Sequence, residues 1–181
     1  MMEPSSTGGV VMPSWPDPGL ATAEELVEAL QLLPHPEGGW YREMIRSAVQ
    51  VKREDGAERP ALTHIFYLLP GGGLSRWHRV RGSDELWQFL AGDPLELWTL
   101  PPEGGEAQCQ DLAPPLVRPA QEGGGSAVLS VPAGWWQAAR APGRWSLVSC
   151  VVGPGFAFDD FDLLHQLPVR QRPSGALEAF L

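Results

Sequence analysis

Cysteine is scarce in this chain of 181 residues: Cys109 and Cys150 are far apart and fit no C-x-x-C pattern. That excludes a multi-disulfide framework and a cysteine-based zinc site; two reduced thiols in a cytoplasmic protein are expected, with a single disulfide as the alternative. Long apolar runs are missing as well. None reaches the roughly 18 residues of a membrane-spanning helix. The opening MMEPSSTGGVVMPSWPDPG has neither a basic region nor an unbroken apolar stretch, so it does not read as a secretory signal. Positive charge is also in short supply, with 13 Lys and Arg against 22 Asp and Glu and a net charge of −9. A surface of that sign repels phosphate backbones and anionic lipid, so neither nucleic acid nor a membrane surface is expected as a partner.

Turn formers and aromatics are abundant: 21 glycines, 19 prolines and eight tryptophans. The Gly and Pro residues lie between apolar runs, as in a globular chain with many turns. At this length folding buries roughly 70% of the unfolded chain's surface, enough for one domain without a metal or disulfide staple. Residues 1–20 show no periodicity and read as a flexible tail, residues 21–168 as the domain, and residues 169–181 as a weak C-terminal tail.

One helix is predicted. Thr22 and Glu25 form a T-x-x-E capping box, and Leu26, Leu30 and Leu33 recur on one face before Pro34 and Pro36 end it. Everything after it reads as strand and turn. The strand candidates are Trp40–Arg46, Leu62–Leu69, Leu74–Val80, Glu85–Leu90, Leu95–Leu100, Ala127–Val131, Trp135–Ala141 and Ser146–Val152. Breaks such as Asp55-Gly56, Gly71-Gly72-Gly73 and Gly92-Asp93-Pro94 separate them, and residues 104–125 read as a hairpin with a long loop. Many short strands with a single helix predict an all-β sandwich or barrel.

Strand alternation then places chemistry. His78 and Glu85 lie on neighbouring strands with inward-facing parity. Trp87 and Phe89 share the Glu85 face, and Trp135, Gln137 and Ala139 share one face of their own strand. Gln88 falls on the opposite face from Glu85. A barrel mouth with aromatic walls and a few polar groups is a small-molecule site.

The run Gly72, His78, Val80, Glu85 and Gly92 resembles the first cupin motif, with Val80 where a second His usually stands. Pro132-Ala133-Gly134-Trp135-Trp136-Gln137 resembles the second, with Gln137 in place of its His. The phrases LLPHPEGGWYRE, WHRVRGSDELW, AGDPLELW and VPAGWWQAAR together resemble a branch of cupins of uncharacterised function, over about residues 24–164. The resemblance implies a double-stranded β-helix, or jelly-roll, barrel behind one N-terminal helix, and a homodimer joined through edge strands.

Cupins commonly hold a divalent metal on three His and one Glu. The matching positions here are His78, Val80, Glu85 and Gln137. Valine offers no donor and an amide oxygen is a poor ligand for Zn, Fe or Cu. No cofactor is therefore expected. A loosely bound divalent ion on His78, Glu85 and Gln137 is compatible with the motif, with His64 on the preceding strand as a further ligand. The metal-free option, binding of a small polar or sugar-like metabolite, follows the resemblance further: metal-free cupins include epimerases, which implies acid–base chemistry with His78 and Glu85 as catalytic residues of an isomerase or epimerase. Gln137, Trp87, Phe89 and Trp135 would line the ligand site, and Arg42 and Arg76 would reach an anionic group at the mouth. The alternatives are a non-catalytic ligand-sensing or structural cupin and a metal-dependent oxygenase. His35 reads as structural, His165 as surface or interface, and Asp159, Asp160 and Asp162 as a solvated strip.

Overall fold

A computed structural model describes residues 21–115 and 125–181. The N-terminal tail expected over residues 1–20 lies outside the described residues, as does part of the long loop read between Gly104 and Gly125. The helix, α1, runs Ala23–Leu30 and starts on the expected box: Thr22 Oγ1 accepts from the Glu25 amide at 3.2 Å, and Glu25 Oε2 accepts from the Thr22 amide at 2.8 Å. It ends earlier than Pro34. Gln31 turns left-handed at φ 54°, so Leu33 leaves the apolar face and is exposed, while Leu32 takes a buried place beside Leu26 and Leu30.

Thirteen strands follow among the described residues. They are β1 Leu33–Pro34, β2 Trp40–Arg46, β3 Gln50–Lys52, β4 Glu58–Pro60, β5 Thr63–Pro70, β6 Leu74–Val80 and β7 Asp84–Gly92. Then come β8 Leu95–Leu100, β9 Gln108–Leu112, β10 Val128–Val131, β11 Trp136–Arg140, β12 Trp145–Gly153 and β13 Phe161–Leu163. A six-stranded sheet has the order β1-β2-β5-β12-β7-β10, and a five-stranded sheet the order β13-β6-β11-β8-β9. Neighbours within each are antiparallel. β3 and β4 form a separate hairpin around Asp55-Gly56.

The inner faces of the two sheets enclose one apolar core, including Tyr67, Leu69, Trp87, Leu97, Val131, Ala139 and Val148. Phe89 and Trp135, expected at a ligand, pack against this core instead. On the outer face of the large sheet, Leu26 and Leu30 of α1 cover Leu68, Trp145 and Leu147. On the outer face of the small sheet, Trp77 and Trp136 are covered by Leu164, just after β13, and by the C-terminal segment, whose Phe180 is buried against Trp77. The segment read as a tail is thus docked at its end, and the Trp77 indole N–H donates to the Leu177 carbonyl at 3.0 Å. The two cysteines are unbonded: Cys150 is buried in the barrel and Cys109 exposed on β9. No helix among the described residues is long and apolar enough to cross a membrane.

Candidate functional site

A cavity of about 380 Å³ opens within the barrel, and its walls include His35, Glu37, His78, Val80, Glu85 and Trp87. Strand parity alone would not bring all of these together. β6 carries a bulge: against β11, His78 pairs with Gln137 but Ser75 with Ala139, so two residues of β6 stand where one would. The extra residue lets both Ser75 and His78 face inward. A second bulge in β2, between Glu43 and Ile45, puts both Glu43 and Arg46 at the cavity.

Glu37 comes from the loop between β1 and β2. Gly38 and Gly39 take φ of +116° and +67°, and a Cβ on Gly38 would stand 2.1 Å from the Leu74 carbonyl oxygen. Only glycine lets this loop lie so close to β6. The loop is tied there by the Arg76 amide, which donates to the Glu37 carbonyl at 2.8 Å, and by the Tyr67 hydroxyl, which donates to the Gly38 carbonyl at 2.8 Å. The Glu37 side chain is thereby aimed inward and buried.

Glu37 is the hub. Its Oε1 accepts from Ser75 Oγ at 2.8 Å, and its Oε2 lies 3.2 Å from His35 Nδ1 and 3.3 Å from His78 Nε2. Burial alone would raise its pKa, but the two imidazoles and these hydrogen bonds hold it down at about 2. Burial likewise opposes charge on His35, yet Glu37, with a smaller effect from Glu85, leaves its pKa raised. The two rings differ in their bonding. His78 Nδ1 donates to the Arg76 carbonyl at 2.8 Å while Nε2 faces Glu37, so both nitrogens are engaged. In His35, Nδ1 faces Glu37 and no hydrogen bond ties Nε2 among the described residues.

Glu85 occupies a second corner. Trp87 Nε1 donates to Gln137 Oε1 at 2.9 Å, and Gln137 Nε2 donates to Glu85 Oε2 at 2.5 Å. The indole fixes which way the amide points. Burial pushes the Glu85 pKa up, the nearby Glu37 charge adds to this, and His78 and the Gln137 bond only partly offset it.

Of the residues predicted from sequence, His78, Glu85, Gln137 and Trp87 are brought together. His78, however, pairs with Glu37 rather than with Glu85. Arg42 does not reach the mouth; it is exposed and donates to the Leu30 carbonyl at 3.0 Å. The Arg76 side chain is exposed too, and that residue serves the site through its backbone. His64 lies on the other face of β5, bonded to Ser149 Oγ at 2.7 Å, and cannot supply a ligand inside. Of the acidic strip, Asp159 is exposed as expected, but Asp160 is buried and Asp162 half-buried. Asp160 accepts from Arg59 at 2.7 Å and Arg53 at 3.0 Å, and Asp162 from Arg79 at 2.8 Å. His35 and Glu37 are the functional candidates missed from sequence.

The cavity donors do not fit the usual metal centre of such a barrel. Val80 presents hydrocarbon where a His would stand, and both polar atoms of Gln137 are already spent on Trp87 and Glu85. Among the described residues no three His, Cys, Asp or Glu are grouped to hold an ion.

The sequence profile described as Cupin superfamily (DUF985) matches residues 24–164. The chain belongs to this cupin family. A hypothetical protein from Leishmania major shares 35% identity over 78% of this cupin and 86% of its own chain, with a TM-score of 0.68. A Shewanella oneidensis protein shares 31% over 85% of this chain and 98% of its own, at 0.69. Among distant folds, the capsular polysaccharide assembling protein CapF from Staphylococcus aureus matches at 12% identity over 73% of this cupin and 33% of its own length, at 0.52. That likeness shows the fold alone. No protein of curated function matches in sequence. The expected jelly-roll barrel with one N-terminal helix is therefore the observed fold.

Proposed function

We propose that the barrel binds a small polar, sugar-like carbonyl compound and moves a proton on it, as an isomerase or epimerase does. The observation that carries this reading is an imidazole and a carboxyl facing one cavity: His35, whose Nδ1 lies 3.2 Å from the buried Glu37 carboxylate and whose Nε2 is unbonded among the described residues, and Glu85, whose pKa burial pushes up. An imidazole backed by a carboxylate and a carboxyl biased toward its protonated form suit base and acid roles within a single site. Glu37 stays ionised between the two imidazoles. His78 has both ring nitrogens engaged, at Glu37 and at the Arg76 carbonyl, and so has none left for a substrate proton. His35 is left as the base: its Nδ1–H points at Glu37, which fixes the tautomer and stabilises the charge formed when Nε2 accepts a proton. Glu85, biased toward its protonated form, hydrogen-bonds the substrate carbonyl oxygen as the acid. The role first read for His78 thus passes to His35.

Solvent-exchange NMR tests this. The protein is incubated in D₂O with free sugars, sugar nucleotides and hydroxy acids, and intrinsic tryptophan fluorescence is titrated with the same compounds. At least one carbonyl compound should quench fluorescence and take up deuterium beside its carbonyl. His35→Gln should slow that uptake by about 100-fold or more, far beyond any weakening of binding that the quench records. Quenching without uptake in the wild type would replace the enzyme with a ligand-sensing barrel.

A further inference from the structure

The cavity contains polar groups of both signs, but its positive charges are already matched. Arg46 is the one Lys or Arg among the described residues that line it, and Glu43 grips it in a fork, Nε to Oε1 at 3.0 Å and Nη2 to Oε2 at 2.6 Å. A further Arg46 nitrogen donates to the Phe156 carbonyl at 3.2 Å. His35 and His78 both lie against the Glu37 carboxylate, at 3.2 and 3.3 Å, and His78 also donates to the Arg76 carbonyl. Three carboxyl groups, Glu37, Glu43 and Glu85, face the same space. Arg42 and Arg76, which could have met a phosphate, lie outside it.

An anion entering this cavity would lose its hydration and gain no free cation, while Glu37 repelled it. A buried charge without a partner is strongly disfavoured. A neutral polyol meets none of that cost. Its ring can lie against Trp87 or Phe161, and its hydroxyls find His35 Nε2 and Glu85.

We infer that the ligand of this site is an uncharged polyhydroxylated aldehyde or ketone, and not a sugar phosphate, sugar nucleotide or sugar acid. The inference rests on the proposed function and narrows it. Glu43 is then a specificity residue: by occupying Arg46 it withholds the cation that an anionic congener would need.

Isothermal titration with free aldoses and ketoses, each matched to its phosphate and its uronic or aldonic acid, reads this directly. The neutral member should bind at least 10-fold more tightly than its charged partners. Glu43→Gln, at a half-exposed site that does not threaten folding, should release Arg46 and improve binding of the phosphate by 3-fold or more. A phosphate or acid that binds the wild type as tightly as its neutral partner overturns the inference but leaves the proton-transfer reading standing. An unchanged preference in Glu43→Gln overturns the assignment of selectivity to the masked arginine. Failure of every compound to bind removes the inference and the proposed function together.

Discussion

Glu37 and Glu85 line the same cavity, and both are buried, yet one is held near pKa 2 and the other is raised above its ordinary value. The difference comes from what each corner of the barrel supplies. The corner built by the glycine loop and the bulged β6 presents Ser75, His35 and His78 to Glu37. The corner built by β7 and β11 presents an amide whose other end is tied to an indole, and otherwise apolar wall. Burial penalises both carboxylates; only the first corner overcomes it. The residue type does not set the role; the charge and donors around it do.

Neutralising the first corner has the largest expected effect. The depression of Glu37 from 4.5 to about 2 corresponds to stability on the order of 3 kcal/mol at neutral pH. Because the folded pKa is lowered, that contribution is present above about pH 4.5 and is lost as pH falls toward 2. Urea unfolding of Glu37→Gln at pH 7 should show a loss of this size, and the deficit relative to wild type should shrink in acid. Equal stability at pH 7 would mean the two imidazoles do not hold the carboxylate.

Trp87→Phe attacks the second corner next. It leaves the Gln137 carbonyl oxygen buried without a donor, which costs about 2 kcal/mol, and it frees the amide to turn its oxygen toward Glu85. The same unfolding experiment measures it. Ser75→Ala removes one bond to an ionised group and should cost about 1.5 kcal/mol, with acid loss of stability setting in at a higher pH than in wild type.

Glu85→Gln should have the smallest effect, within about 1 kcal/mol of wild type in the same unfolding experiment at pH 7, because the amide keeps the shape and removes a charge the corner disfavours. Its pH trend should oppose that of Glu37. A raised carboxyl pKa means the wild type loses stability from this group as pH climbs from about 4.5 through the folded value, and the variant should lack that decline. Deuterium uptake by the substrate should nevertheless fall sharply in the same variant.

The two corners were not equally legible in the sequence. Glu85, Gln137 and Trp87 lie on regular strands, where a period of two and a family spacing give both neighbours and facing. Most strands, the capping box and the jelly-roll class were readable on the same grounds. Glu37 lies in a loop without periodicity, and its partners Ser75 and His78 share a face only because of a bulge that alternation does not reveal. The available signal was the Gly38-Gly39 doublet, which marks a backbone that must approach another closely. The short strands β3, β4 and β13 escaped for a related reason. They are three residues each, rich in charge, and held in part by ion pairs such as Arg53 and Arg59 with Asp160, which link positions about a hundred residues apart.

The split between the two carboxylates is tested most directly by a ¹³C-carboxyl NMR titration of glutamate-labelled protein, with Glu37→Gln and Glu85→Gln spectra assigning the signals. Glu37 should remain ionised down to the acid limit of the fold, with an apparent pKa near 2, while Glu85 should take up its proton above the ordinary glutamate value of 4.5. Two carboxyls that titrate together, or in the reverse order, would contradict the account.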